Sequence, residues 1–164
     1  MTVKKWKHSG TQKRSISDRE IRNGLLSEKA AEESIVLLKN DKKILPVDIS
    51  TKIGLYGAGA GKTVKGGTGS GDVNNRSNIS IYQGLKEKGI QIVSGKWLAD
   101  YEATYTAARR AWKEKILKEA KLEENPFDAY AENPFSMPEG RAVTAEDTVG
   151  AQAAVYVVSR ISGE

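Results

Sequence analysis

A single glutamate after an apolar run is the residue in this sequence best placed for acid–base chemistry. The apolar run 153–158 predicts a buried strand, and Glu164 follows it after the stretch 159–163. Open α/β sheets carry their chemistry at the carboxyl ends of strands. Ser162 and Gly163 are small enough to permit a tight turn before the carboxylate. We therefore expect Glu164 to be a catalytic general acid/base.

The second candidate site is a glycine-rich stretch at residues 65–71. Four of the six residues from Gly66 to Gly71 are glycines, which indicates unusual backbone angles or the close approach of a ligand. A flexible surface loop is an equally good interpretation of the composition alone. Because the stretch follows a predicted strand, we also interpret it as lining a site. The candidate substrate-binding residues are Gly66, Gly67, Thr68, Gly69 and Ser70.

A nucleotide site is a weaker alternative for the residues just before this stretch. Residues 57–63 resemble a phosphate-binding loop, but Tyr56 stands where that motif needs its first glycine. The dinucleotide fingerprint fails as well, because Lys62 occupies its last glycine position. The absence of cysteine excludes disulfides and thiolate metal sites, and His8 has no plausible metal partner. We expect neither a metal nor a cofactor.

Composition indicates a globular protein with a basic tail. The chain has 164 residues, of which 38% are hydrophobic and 29% charged, and no stretch approaches the roughly 20 apolar residues of a membrane helix. The net charge of +5 arises from cations that precede Asp18, so residues 1–15 read as a disordered, solvated tail rather than a nucleic-acid-binding arm. No apolar signal segment follows Met1, which predicts a cytoplasmic protein without membrane or nucleic-acid partners.

The pattern of elements predicts an α/β fold. Ser17 and Glu20 have the spacing of a capping box, and a second helix is expected from Ser27. The remaining pattern alternates strands with helices, and residues 124–141 read as a loop because of their prolines. Strands are expected at 52–56, 90–93 and 153–158, and helices at 79–88, 99–123 and 144–152. The apolar stripe of the long helix is expected to face the sheet.

This order predicts a mainly parallel sheet between helical layers, a partial α/β/α sandwich over residues 16–164. Three strands are few for such a sheet, whose usual size is about five or six. We therefore expect an incomplete domain that is truncated after a central strand, within an active site.

Several segments together resemble the α/β-sandwich domain of glycoside hydrolase family 3, the β-glucosidase-like enzymes. They occur in the family's order at residues 30–40, 44–46, 57–59, 65–73 and 159–164. The resemblance covers roughly residues 25–164.

The resemblance implies a role for this chain in a larger enzyme. In the family a (β/α)₈ barrel supplies an aspartate nucleophile, and the sandwich of many members supplies a glutamate in a Gly-Glu-Gly context, which Gly163 and Glu164 begin. The chain then resembles the N-terminal fragment of a member with reversed domain order. It would supply the acid/base side of a retaining β-glycosidase acting on terminal β-D-glucosides, and would be inactive alone. A non-catalytic carbohydrate-binding or interaction module with the same fold is the alternative.

Overall fold

A computed structural model describes residues 15–67, 77–122 and 126–160 of the chain. Two compact units, Met1–Pro46 and Val47–Glu164, divide it. None of the described helices is long and apolar enough to span a bilayer. The strands are β1 (Lys52–Tyr56), β2 (Gln91–Ile92) and β3 (Ala153–Tyr156). The helices are α1 (Asp18–Ser34), α2 (Ala58–Gly61), α3 (Ile81–Glu87), α4 (Gly95–Leu122) and α5 (Pro126–Glu132), with a 3-10 helix at Ala145–Thr148.

Helix α1 belongs to the first unit, and it begins at the expected capping box. The Ser17 hydroxyl accepts a hydrogen bond from the Glu20 backbone N–H (3.3 Å), and the Glu20 carboxylate accepts one from the Ser17 N–H (2.8 Å). The prediction of a separate helix from Ser27 is wrong, because α1 continues through that residue to Ser34. The chain becomes extended at Ile35, the first of two β-branched residues, whose stiff side chains lower helix propensity slightly.

The second unit is built on an open parallel sheet with strand order β2–β1–β3. Ile53 of β1 pairs with Ile92 on one side and with Ala153 on the other. The predicted α/β class and parallel pairing are therefore confirmed. Four of the five β1 residues are buried, as expected for a central parallel strand covered on both faces.

Strand β3 forms one margin of this sheet, so the prediction that it is buried is wrong. Val155 is 36% exposed and Tyr156 is 65% exposed. Among the described residues, β1 is the central strand and the only one paired with β3. An apolar run shows that a strand is suited to burial, but it does not show which segment provides the cover.

The segment 124–141 differs from its predicted loop, because it contains helix α5. Pro126 occupies the first helical position, where a missing N–H breaks no helical hydrogen bond. The predicted helix 144–152 is a single 3-10 turn at Ala145–Thr148.

The aromatic stripe of α4 divides between two partners. Trp97 (1% exposed) stacks on Tyr101 and meets the edge of Tyr56, each with ring centroids 5.7 Å apart, and this group forms the core against the sheet. Further along α4, Tyr105 and Trp112 both contact Phe135, with ring centroids 5.6 and 5.7 Å away. The expectation that the whole stripe faces the sheet is therefore correct only for its first part.

A buried serine completes the central strand where β2 ends. The Ser94 hydroxyl donates to the Leu55 carbonyl and accepts from the Leu55 N–H, both at 2.8 Å. Ser94 is 2% exposed and Leu55 is fully buried. The hydroxyl thus replaces the next pair of ladder hydrogen bonds, which the two-residue β2 cannot supply.

Replacing Ser94 with alanine should lower the free energy of unfolding by about 2–3 kcal/mol, because it leaves a buried N–H and a buried C=O without a partner. Urea denaturation of the chain measures this. Ser34→Ala removes an exposed hydroxyl at the end of α1 and should change the value by less than about 0.5 kcal/mol. Equal effects of the two substitutions would contradict the bridging role.

Candidate functional site

The candidate site lies where the chain leaves β1 and β3 at their carboxyl ends. The Val157 N–H donates to the Tyr56 carbonyl (2.9 Å), so the pairing of the two chain segments continues one residue past the end of β3. Gly57 follows β1, and residues 157–160 follow β3; we call residues 157–160 the β3 exit. This is the position at which open α/β sheets place ligands.

Two glycines allow this close approach. Gly57 has φ +92° and ψ 153°, and a Cβ atom there would lie 2.3 Å from the Val157 carbonyl oxygen. A Cβ on Gly59 would lie 2.1 Å from the Ser159 hydroxyl. A Cβ atom at position 57 would therefore displace the backbone that leaves β3, whereas one at position 59 would require the Ser159 and Val157 side chains to move.

Thr63 connects this turn to the next helix. Its hydroxyl donates to the Gly59 carbonyl (2.7 Å) and accepts from the Ile81 N–H at the start of α3 (2.9 Å). In the sequence, Thr63 is only the last residue of the near-miss phosphate-binding loop, and that pattern does not predict these two hydrogen bonds. The contact holds α2, the start of the glycine-rich stretch and α3 together.

A cavity of about 420 Å³ lies beside these exits, and we call it the glycine-loop cavity. It is lined by residues 63–67, Ile81 and residues 157–160. Gly66 and Gly67, two of the predicted substrate-binding residues, therefore lie at the β3 exit. Thr68, Gly69, Ser70 and the predicted acid/base Glu164 lie outside the described residues, and their roles stay predictions.

A second cavity of about 740 Å³ lies on the other side of the β3 exit, and we call it the proline-loop cavity. It is lined by Ala58, residues 134–140 and residues 156–159. Residues 157–159 line both cavities, so they form the partition between them. The sequence marked 134–140 only as part of a long loop, since its prolines say nothing about which side chains it faces.

Residues 134–141 form a segment that we call the proline loop. Aromatic side chains of the core hold this loop by hydrogen bonds to its backbone. The Tyr101 hydroxyl donates to the Pro138 carbonyl (3.1 Å), and the Trp97 indole N–H donates to the Arg141 carbonyl (3.0 Å). Gly140 packs so closely on the Trp97 ring that a Cβ atom would lie 2.6 Å from it. The loop is therefore fixed to the core and not loosely attached.

An ion pair anchors the end of this loop. Arg141 donates to both carboxylate oxygens of Asp147, at 2.6 and 2.7 Å, and its Nε donates to Asp100 at 2.9 Å. The Asp147 carboxylate also accepts from the backbone N–H (2.8 Å) and the hydroxyl (2.9 Å) of Thr144. The spacing of Thr144 and Asp147 is that of a capping box, a signal that could have predicted this contact.

These contacts shift the pKa values of Asp147 and Arg141 in the directions that favour their charged forms. Hydrogen bonds from Arg141, followed by the Thr144 N–H, hold the pKa of Asp147 well below its usual range. Hydrogen bonds to Asp147 and Asp100 raise the pKa of Arg141. Burial raises the pKa of the Tyr56 hydroxyl, which stays protonated and donates to the Asp147 carbonyl (2.7 Å).

The open parallel sheet, flanked by helices and bearing its cavities at the strand ends, places the chain in the α/β-sandwich class. Residues 35–164 match the family model of the glycosyl hydrolase family 3 C-terminal domain, and the chain belongs to that family. The match begins in the first unit and runs through every strand.

The relatives are β-glucosidases. The chain is 33% identical over 139 residues to β-glucosidase A of Butyrivibrio fibrisolvens, a match that covers 85% of this chain and 15% of that protein. Among solved structures it resembles β-glucosidase 3B from Thermotoga neapolitana in complex with α-D-glucose, with TM-score 0.59 and 31% identity over 92% of this chain and 19% of that one. The glycerol complex of the same enzyme gives TM-score 0.57 and 32% identity, and the match covers 88% of this chain and 18% of that one. The chain therefore spans less than a fifth of each of these relatives.

Gly57→Ala should destabilise the chain by about 1–3 kcal/mol, because positive φ with extended ψ is nearly restricted to glycine and the new Cβ would meet Val157. Gly61→Ala is the matched control, since a Cβ there meets nothing within 4 Å. Urea denaturation of both variants measures the difference. If both had the same effect, the close approach at Gly57 would not limit the fold.

The Asp147 carboxylate should make the free energy of unfolding depend on pH. A carboxylate whose pKa is lowered by folding contributes stability that is fully present above its unfolded pKa of about 4, and this stability is lost as the pH falls toward the folded value. The free energy of unfolding of the wild-type chain should therefore fall more steeply below pH 4 than that of Asp147→Asn. Parallel pH profiles for the two proteins would show that this ion pair does not stabilise the fold.

Proposed function

We propose that this chain is a segment of a retaining β-glycosidase that hydrolyses terminal, non-reducing β-D-glucosides. In this proposal Glu164 is the general acid/base, and residues 66–70 line the substrate site. The observation that carries it is the glycine-loop cavity, where Gly66 and Gly67 border residues 157–160, the described segment that leads toward Glu164. The β-glucosidase relatives support the same reaction class.

Retention of configuration requires two carboxyl groups about 5–5.5 Å apart. Glu164 would first donate its proton to the departing glycosidic oxygen, so that the leaving group departs as a neutral alcohol. As a carboxylate it would then take a proton from the water that releases the sugar. An aspartate on a (β/α)₈ barrel of the same parent protein would be the nucleophile that forms the intermediate. Alone, the chain would be inactive because it lacks that nucleophile.

The proposal also concerns the organisation of the parent protein. Residues 16–164 would be part of an α/β-sandwich domain that is preceded by a basic tail, residues 1–15, and located in the cytoplasm. The matched region amounts to 15% of β-glucosidase A, which is consistent with a much larger complete enzyme.

Glu164→Ala in the complete enzyme should lower kcat/KM for an alkyl β-glucoside by about 10²–10⁴-fold, because the alkoxide can no longer be protonated as it leaves. An aryl glucoside with an acidic phenol should lose less of its glycosylation rate, since its leaving group needs little protonation. Added azide should restore turnover of that substrate and yield β-glucosyl azide, because azide needs no general base. Steady-state kinetics and product analysis measure these effects.

Glu114→Ala is the control, since it removes an exposed carboxylate from α4. The acid/base role is refuted if Glu164→Ala retains wild-type turnover of both substrates. Sugar binding by the 164-residue chain together with full activity of the variant would indicate the non-catalytic module instead. Hydrolysis by that chain alone would contradict the need for a separate nucleophile.

A further inference from the structure

Two cationic side chains line the glycine-loop cavity, Lys65 from the glycine-rich stretch and Arg160 from the β3 exit. None of the other described lining residues is acidic or aromatic. The remaining polar side chains there are the hydroxyls of Thr63 and Ser159. The cavity therefore has the charge of an anion site within the described part of the chain.

Both cations are available to a ligand. The Lys65 ammonium donates to one neutral group, the Ser77 carbonyl (3.2 Å), and no ion pair between described residues involves Lys65 or Arg160. Lys62 differs from them, because it already pairs with Glu102 at 2.7 Å. None of the described residues that line the cavity carries a negative charge that would offset these two cations.

The lining also offers what an anionic group needs. Ammonium and guanidinium groups are donors only, so they suit a ligand group that accepts hydrogen bonds. Carboxylates and phosphates are the acceptors that arginine and lysine bind best.

We propose that Lys65 and Arg160 bind an anionic group, a carboxylate or a phosphate, carried by the substrate. The inference rests on the proposed glycosidase function and specifies the substrate class. Arg160 precedes the proposed acid/base by four residues in the sequence. The volume of about 420 Å³ is in the range of small-ligand sites.

Paired substrates test this in the complete enzyme. The ratio of kcat/KM for 4-carboxyphenyl over 4-carbamoylphenyl β-D-glucoside should fall about fivefold in Lys65→Met and in Arg160→Gln, the effect expected of one solvent-exposed ion pair. The ratio of kcat/KM for a β-glucuronide over a β-glucoside is measured in the same variants. A fall in this second ratio would show that the anionic group is on the sugar instead of the leaving group. Lys65→Glu should lower further whichever ratio responds to Lys65→Met, an effect of charge reversal that a structural role would not produce.

Lys96→Met, an exposed lysine on α4, is the matched control and should keep both ratios at the wild-type value. The proposal is overturned if the cavity variants shift the ratios no more than this control does. An enzyme that hydrolyses none of these glycosides would contradict the proposed function, and a binding measurement then decides the inference separately.

That measurement titrates the 164-residue chain with 4-hydroxybenzoate, glucuronate, inorganic phosphate and glucose while backbone amide NMR shifts are recorded. Anions should shift the amides of Gly66, Gly67 and Arg160, less so at high salt because exposed charges are screened. Glucose should leave them in place. Shifts with phosphate alone identify a phosphorylated substrate, and no shift with any anion contradicts the proposal.

Discussion

The structure of the second unit depends on the backbone pairing of β1 with β3 and on its continuation past both strands. Val157 still donates to Tyr56 beyond the last β3 residue, which brings two chain segments about a hundred residues apart into contact. Such contact requires glycine at position 57, where any side chain would collide with the Val157 backbone, and Gly59 leaves room for the Ser159 and Val157 side chains. Both cavities exist because this exit is held between the turn after β1 and the proline loop.

Buried hydrogen bonds from side chains complete what the short strands leave open. Ser94 takes the place of a longer β2, and the hydroxyls and indole of Tyr56, Trp97 and Tyr101 donate to backbone carbonyls in residues 138–147. The same aromatic rings form the core. The packing of the core and the position of the loop are therefore coupled. A substitution in the core should also move residues that line the proline-loop cavity.

The family assignment indicates a class of reaction, the hydrolysis of glycosides, but it does not identify the residues that act in this chain. The matched relatives are β-glucosidases several times longer than the matched region. Within the described residues, the glycine-loop cavity offers cations and backbone but no carboxylate. An acid/base at Glu164 and a nucleophile from elsewhere are what the proposed reaction adds to that lining.

Local patterns determined much of the fold from the sequence alone. The capping box at Ser17, the β1 strand and the parallel order of the strands follow from neighbouring residues, and all are present. The motif segments also indicated the family, and the family model matches. The sequence placed Gly66 and Gly67 after a strand, which is where they border a cavity.

The tertiary structure decided what depends on distant partners. Three features are set by which segments pack together: the exposure of β3, the helix that begins at Pro126, and the division of the α4 stripe between the core and Phe135. Arg141 and Asp147 are only six residues apart, but the second ion pair of Arg141, with Asp100, needs the loop folded back on α4. Short-range spacing fixes backbone preference, whereas burial and charge pairing are properties of surfaces that only the assembled fold creates.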